Sequence, residues 1–390
     1  MSAMKRLFQV MADKKASDIF LSVGSPINIK INGVAVPVNQ TIMTADTVRQ
    51  LLHEVLTERQ LQEYEEEMEL NTAYNLEGVG AFRISAFRQK GSPAVVVRYI
   101  PGSIPPIDTL GLPEVLKEVI MQKRGLILMV GATGSGKSTS LAAMLDHRNG
   151  LKSGHILTLE DPVEFIFQNK KSIVNQREVG TDTKAFEVAL KNALRQAPDC
   201  ILIGEIRDKQ TMAMALAYSQ SGHLCLATLH ANNSYHAMNR IINFYPLENR
   251  PALLLDLAAS LQAVISQRLV RTKTGARVVA AEVLLNTRHI AELIERGEIN
   301  EIKDALEKSM SPGSQTFEQA LFKLFMEKRI SQDEAMANAD SPTNMLWLIN
   351  QAMAGEISSQ SVSMPSAPKP DEKSGDPAQG FGNFKIDMNA

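Results

Sequence analysis

The sequence contains few cysteines, and this scarcity excludes two kinds of site. Cys200 and Cys225 are the only two in 390 residues, and each lies in an apolar segment. Two cysteines cannot build a disulfide framework or a four-cysteine zinc site. We therefore expect both to be small core residues of a protein in a reducing compartment.

Long hydrophobic runs and an excess of one charge are also missing. No apolar run approaches the roughly 18 residues that span a bilayer, and residues 1–6 are not followed by a signal-like core. These features predict a cytoplasmic protein without a transmembrane segment. The formal net charge of −2 gives no general attraction to nucleic acid, so we expect no nucleic-acid partner.

Residues 1–100 carry the pattern of a small α+β domain. Short alternating apolar and polar runs predict strands over 20–38, 80–87 and 94–99. Apolar residues at helical spacing predict a helix over 47–69. The chain is long enough for two or three domains, so this domain needs to account for only part of it.

Composition divides the rest of the chain into four segments. Prolines make 101–111 a connector, and alternating strand-like and helical runs make 112–287 an α/β core with a parallel sheet. Residues 288–354 are predicted to be a helical C-terminal subdomain, and 355–390 a disordered tail rich in Ser, Pro, Gly, Lys and Asp. The strands predicted in the core are 125–130, 155–159, 200–203 and 224–228.

The most informative motif is a glycine-rich loop at 131–138, which matches G-x-x-x-x-G-K-[ST]. It follows a predicted strand and precedes a predicted helix, which is the context that a P-loop needs. The loop's N–H groups bind phosphate oxygens, Lys137 reaches the β and γ phosphates, and Ser138 ligates Mg²⁺. The sequence therefore predicts ATP or GTP binding. The predicted contacts are Gly131, Ala132, Thr133, Gly134, Ser135, Gly136, Lys137, Ser138 and Thr139.

Acidic residues follow two of the predicted strands. Hydrolysis requires carboxylates that hold Mg²⁺ and position water, and ligands bind α/β sheets at the carboxyl ends of their strands. Glu160 and Asp161 begin one acidic cluster, and Glu205 follows the strand at 200–203. We predict that Glu205 is the Walker B acid.

Histidines and arginines provide further candidates, each with a structural alternative. His223 and His230 flank the strand at 224–228 and could bind phosphate or a carboxylate, or could be ordinary strand-end residues. Arg83, Arg88 and Arg98 lie on predicted strands of the first domain. A guanidinium stabilises charge on a transferred phosphoryl group, but a single arginine is more often a surface residue.

Together these motifs resemble those of bacterial secretion ATPases, and most closely the type IV pilus retraction (twitching-motility) ATPases of the PilT and PilU family. The resemblance covers roughly residues 1–350. The segments that carry it are 131–138 (Walker A), 160–164 (Asp box), 204–208 (Walker B), 223–230 (His box), 16–19 and 194–199.

The resemblance implies a PAS-like N-terminal domain and a RecA-like ATPase domain, with ATP between them and Mg²⁺ as cofactor. It also implies a homo-hexameric ring, peripheral at the inner-membrane base of the pilus, where the partners are a PilT-type ATPase and the membrane platform protein. The implied roles are phosphate contact for Lys137, magnesium ligation for Ser138, Glu160 and Glu205, catalysis by Glu205 assisted by Glu160, phosphate sensing by Arg83 and Arg98, and coupling by His230.

Two departures favour the PilU-like branch. Retraction ATPases of the PilT type carry the motif Ala-Ile-Arg-Asn-Leu-Ile-Arg. The aligned residues of this chain are 289–295, in which Ala291 and Glu295 stand in place of the two arginines. The second departure is the tail, which extends beyond the usual PilT end. The expected function is an ATPase that powers or assists pilus retraction together with PilT. The alternatives are an interaction subunit that docks on a PilT ring with secondary hydrolysis, and, less favoured, a RecA-like nucleic-acid motor.

Overall fold

The computed structural model describes residues 2–31, 33–101, 103–309 and 311–360. The chain up to Met345 forms one compact unit with two sheets. The N-terminal sheet is antiparallel, in the order β3-β2-β1-β6-β5-β4. Its strands are β1 (Asp18–Ser22), β2 (Pro26–Ile31), β3 (Val34–Ile42), β4 (Glu69–Leu76), β5 (Gly80–Gln89) and β6 (Ser92–Pro101).

Three helices accompany this sheet: α1 (Ala3–Asp13), α2 (Ala45–His53) and α3 (Glu58–Glu67). The single helix predicted over 47–69 is therefore two helices. The second begins at a capping box, in which the Thr57 side chain accepts from the Gln60 N–H and the Gln60 side chain accepts from the Thr57 N–H. The domain core includes Phe8 of α1, whose ring stacks on Phe82 with 4.1 Å between centroids.

The second sheet is mostly parallel, in the order β13-β12-β7-β11-β10-β8-β9, and only the β12–β13 pair is antiparallel within the described residues. Strands β7, β10 and β11 are buried at every position, as expected for strands covered on both faces. The strands are β7 (Gly125–Val130), β8 (Gly154–Glu160), β9 (Ser172–Glu178), β10 (Cys200–Ile203), β11 (Leu224–Leu229), β12 (Leu261–Arg271) and β13 (Arg277–Leu285).

Helices cover both faces of this sheet. Apolar clusters on the two sides separate helices α4 and α5 from helices α6, α7, α8 and α9. The arrangement agrees with the α/β core expected for 112–287. The helices are α4 (Val115–Ile120), α5 (Lys137–Leu151), α6 (Phe186–Ala193), α7 (Lys209–Gln220), α8 (Ser234–Asn243) and α9 (Arg250–Ser260), with 3-10 turns at Ile107–Thr109, Leu194–Gln196 and Leu247–Asn249.

Beyond β13 the described residues are helical. The helices are α10 (Arg288–Arg296), α11 (Ile302–Glu307), α12 (Phe317–Met326), α13 (Gln332–Asn338) and α14 (Pro342–Gln360), with a 3-10 turn at Ile299–Glu301. The first residues of the predicted tail, 355–360, belong to α14, and 361–390 lie outside the described residues. No helix in the described part of the chain has both the length and the hydropathy needed to cross a bilayer.

Candidate functional site

Six of the nine predicted nucleotide residues line one cleft at the carboxyl edge of the second sheet: Thr133, Gly134, Gly136, Lys137, Ser138 and Thr139. Gly131, Ala132 and Ser135 belong to the same loop but do not line the cleft. Strands β7, β8, β10 and β11 are parallel neighbours, so the residues that follow them come together at the same edge. The cleft has a volume of about 720 Å³. Its walls include Lys137, Ser138, Glu160, Glu205 and His230.

Lys137 lies within the P-loop at the start of α5. Its side-chain Nζ donates to the carbonyl oxygens of Gly131 and Ala132, each at 2.8 Å. Burial lowers the pKa of the Lys137 ammonium, while the negative charges of Glu205 and Glu164 oppose that shift. The positive charge of Lys137 therefore interacts with two carboxylates that line the same cleft.

Glu205 follows β10, and a close backbone approach determines its position. A Cβ on the preceding Gly204 would lie only 3.1 Å from the Leu159 carbonyl oxygen, so glycine lets the end of β10 lie directly against β8. The Glu205 carboxylate accepts from Arg207 Nε at 2.7 Å, and its other oxygen lies 3.5 Å from His230 Nε2. The acid is thus held between a guanidinium and an imidazole at the cleft wall.

Glu160 ends β8, beside Glu205. Its Oε1 accepts from the Thr158 hydroxyl at 2.6 Å and from Gln176 Nε2 at 3.3 Å. Burial raises the pKa of the Glu160 carboxyl, and the two hydrogen bonds partly oppose this shift. The cleft therefore contains two carboxyl groups in different surroundings.

The three arginines of the N-terminal domain have different surroundings. Arg98, on β6, lines the cleft and donates to Asp18 at 3.0 Å. Arg83, its register partner on β5, donates to the Val163 carbonyl oxygen at 3.3 Å. Arg83 and Arg98 both line a smaller cavity of about 260 Å³, but Arg83 does not line the cleft. Burial lowers the pKa of Arg83. Arg88 pairs instead with Glu65 and does not line either cavity.

The two histidines lie at opposite ends of β11. His230 follows the carboxyl end of this strand and lines the cleft. His223 precedes the strand, with Nδ1 3.0 Å from the Ser221 hydroxyl. A six-residue strand is roughly 20 Å long, so His223 lies far from the P-loop and its role as a site residue is not supported by this geometry.

This combination of fold and cleft matches a known family. The model of the family described as "Type II/IV secretion system protein" matches residues 2–292. The chain belongs to this family.

Individual relatives in this family are similar over most of the chain. The type IV pilus ATPase PilU of Pseudomonas aeruginosa is 46% identical over 346 residues, which is 88% of this chain and 91% of PilU. The type IV pilus retraction ATPase PilT of the same organism is 39% identical over 338 residues, 87% of this chain and 98% of PilT. The predicted resemblance to pilus retraction ATPases and the prediction of an ATP hydrolase are both confirmed.

Solved structures confirm the predicted fold class. A crystal structure of the pilus retraction motor PilT with bound ADP has a TM-score of 0.83 and 38% identity, and the match covers 88% of this chain and 98% of that one. The ATPase DotB of Legionella pneumophila has a TM-score of 0.74 and 25% identity, with 85% of this chain and 93% of that chain covered. The N-terminal α+β domain, the P-loop ATPase core and the C-terminal helices are therefore the fold of this family.

The residues of the cleft fit a magnesium ion that enters with a nucleotide. Such an ion takes one or two carboxylates plus phosphate oxygens and water, and Ser138, Glu160 and Glu205 supply a hydroxyl and carboxylates. Among the described residues there is no group of three His, Cys, Asp or Glu that could hold a metal unaided. The buried Ser135 hydroxyl of the P-loop has no hydrogen-bond partner in the part of the chain that the structure describes, although Ser135 does not itself line the cleft.

Two side chains that support the site belong to no sequence motif and were not predicted. Gln176 on β9 donates to Glu160, and Gln267 on β12 contacts the P-loop. Neither β9 nor β12 was predicted as a strand, and a glutamine in a strand belongs to no motif. The only signal was the mixture of polar residues with apolar ones in these segments, which does not reveal the contact.

Proposed function

We propose that this chain is a Mg²⁺-dependent ATPase that powers or assists type IV pilus retraction, beside a PilT-type ATPase. The observation that carries the proposal is the shared cleft of Lys137 and Glu205, in a chain related to PilU and PilT along most of its length. The ADP bound to the similar PilT structure supports a nucleotide as the ligand of this cleft.

The residues of the cleft suit in-line attack of water on the γ phosphate. The P-loop N–H groups and Lys137 bind the phosphates, and Ser138, Glu160 and Glu205 would hold Mg²⁺. The ion, when bound, neutralises charge on the phosphates. Glu205 orients the attacking water and accepts its proton. His230, 3.5 Å from Glu205, would link the state of that carboxylate to β11.

We assign phosphate sensing to Arg98 and Arg83. Arg98 already lines the cleft, and its guanidinium would stabilise charge on the γ phosphate. Arg83 is hydrogen-bonded to Val163, in the loop that follows Glu160. A movement of the N-terminal domain relative to the core would be needed to bring Arg83 to the nucleotide, so this residue would report the position of that domain.

The proposed assembly is a homo-hexamer at the cytoplasmic face of the inner membrane. Its partners would be a PilT-type ATPase and the pilus platform protein. We propose an N-terminal domain over 1–100, a linker over 101–111, the ATPase core over 112–287, a helical subdomain over 288–354 and a tail beyond them. Similarity to PilU and PilT, both named as type IV pilus ATPases, supports a location at the pilus.

The test compares two variants of the purified full chain. Lys137→Ala should weaken ADP and ATP binding, because it removes the ammonium from the P-loop, whereas Glu205→Gln should bind nucleotide and hydrolyse it at least about 100-fold more slowly. Glu248→Gln, at an exposed position outside the cleft, is the matched control. Equal phosphate release by Glu205→Gln and by the unsubstituted protein would contradict the proposal.

A second candidate function is an interaction subunit that docks on a PilT ring. The helix α10 favours it, because Glu295 is exposed and Glu292 is half-exposed where PilT-type sequences place arginine and asparagine. If retraction beside intact PilT is normal with Glu205→Gln, this function is favoured. If retraction fails, the motor function is favoured.

A further inference from the structure

Gln267 lies behind the P-loop and contacts both the loop and the helix that follows it. This residue of β12 is 1% exposed. Its side-chain Nε2 donates to the Ser135 carbonyl oxygen at 2.7 Å, and its Oε1 accepts from the Ser140 hydroxyl, also at 2.7 Å. Ser135 belongs to the loop and Ser140 to the first turns of α5. One amide therefore connects the phosphate loop with the helix that follows it.

The position of β12 makes this contact possible. Strand β12 pairs with β7 as far as Ser266, which lies opposite Val130. Strand β7 ends there and β12 continues to Arg271, so Gln267 is the first residue of β12 that lies beside the loop. A Cβ on Gly131 would lie 2.7 Å from the Gln267 carbonyl oxygen, and a Cβ on Gly136 would lie 2.7 Å from its Nε2.

The hydrogen bond to Ser135 determines the direction of an N–H group. In a trans peptide the C=O and the N–H of one unit point in opposite directions. The carbonyl oxygen of the Ser135–Gly136 peptide points to Gln267, which does not line the cleft, whereas Gly136 does. The Gly136 N–H therefore points away from the Gln267 amide, and Gly136 itself lines the cleft.

We propose that Gln267 is a positioning residue for nucleotide binding, which holds the Ser135–Gly136 peptide so that its N–H is directed at a phosphate oxygen. The inference rests on the proposed function, because it requires a nucleotide in this cleft. Without the donor on Gln267, the peptide is free to rotate, and the loop loses one preorganised donor to a charged oxygen. A hydrogen bond to a charged group is worth at least about a tenfold change in affinity.

Three variants of the full chain separate this role from a packing role. Gln267→Leu removes both hydrogen bonds and is expected to weaken the binding of Mg²⁺–ADP by at least about tenfold. Ser140→Ala removes only the bond to the helix and should stay within about threefold of the unsubstituted protein. The measurement is titration with a fluorescent ADP analogue, with the thermal unfolding midpoint determined for each variant.

The variant Gln267→Glu provides a pH-dependent test, because a role in packing alone would not make the affinity for ADP depend on pH. A buried carboxyl has a raised pKa. Its protonated form can donate to the Ser135 carbonyl oxygen and accept from Ser140, as the amide does, and its ionised form cannot donate. The affinity of this variant for ADP, relative to the unsubstituted protein at the same pH, should therefore recover as the pH falls. Gln267→Leu should show no such recovery.

The possible outcomes lead to different conclusions. If the unsubstituted protein does not bind ADP, the proposed function itself fails. If it does, and Gln267→Leu binds within about twofold of it, the positioning role is wrong. Weakening by Ser140→Ala equal to that by Gln267→Leu would also overturn it, because the loss would then come from the helix contact. If Gln267→Leu does not fold, the pH dependence of Gln267→Glu decides, and its absence refutes the proposal.

Discussion

Alanine at Gly131 and at Gly134 should have very different effects, although both are P-loop glycines with positive φ. At Gly134, φ is +79° and an added Cβ meets no atom within 4 Å. The free-energy cost of alanine at this position is therefore only that of placing a side chain on a left-handed backbone, about 1–2 kcal/mol. At Gly131, φ is +153°, and a Cβ would lie 2.5 Å from Ser135 Oγ and 2.7 Å from the Gln267 carbonyl oxygen. Ser135 can rotate, but the Gln267 carbonyl belongs to β12 and cannot.

The difference can be expressed as an affinity for ADP. If the whole free-energy cost of the left-handed backbone opposes nucleotide binding, Gly134→Ala weakens the affinity for ADP roughly 5- to 30-fold. Gly131→Ala adds overpacking against a fixed strand to a conformation that only glycine adopts at low energy, so we expect at least about a hundredfold loss.

The assay is titration of each full-length variant with a fluorescent ADP analogue in the presence of Mg²⁺. Circular dichroism and the thermal midpoint show whether each variant is folded. Equal affinities for the folded Gly131→Ala and Gly134→Ala variants would refute the reasoning, because the contact with β12 would then have no effect on the loop.

Three other predictions concern Glu160, Asp340 and His230. Because burial raises the Glu160 pKa above 4.5, ionisation of this group destabilises the fold as pH rises from about 4.5 through the folded-state pKa. Glu160→Gln should therefore gain thermal stability relative to the unsubstituted protein between pH 4 and pH 8, and a constant difference would contradict this. Asp340→Ala leaves the largely buried Arg268 without its carboxylate partner and should lower the free energy of unfolding by about 1–3 kcal/mol, measured in urea; no change would show that other acceptors suffice. His230→Ala should lower kcat more than it changes KM, whereas His223→Ala should leave both within about twofold. Steady-state kinetics measures both constants, and equal effects of the two substitutions would contradict this prediction.

Local sequence patterns predicted several elements well. The strands predicted at 125–130 and 200–203 coincide with β7 and β10, because a strand covered on both faces consists of consecutive apolar residues. The P-loop was equally clear, since its glycines, lysine and serine must occur at fixed spacing to contact phosphates. The helix predicted over 47–69 was less accurate, because the capping box at Thr57 begins a second helix within it.

The sequence by itself determined the chemistry: a phosphate-binding loop, carboxylates after strands, and a family that hydrolyses ATP. Only the tertiary structure decided which of these groups share a cleft, that Arg98 lines it while Arg83 contacts Val163, and that Gln267 lies behind the loop. The physical reason is that motifs depend on residues a few positions apart. The order of the strands depends instead on hydrogen bonds and packing between segments more than a hundred residues apart, such as β7 and β12.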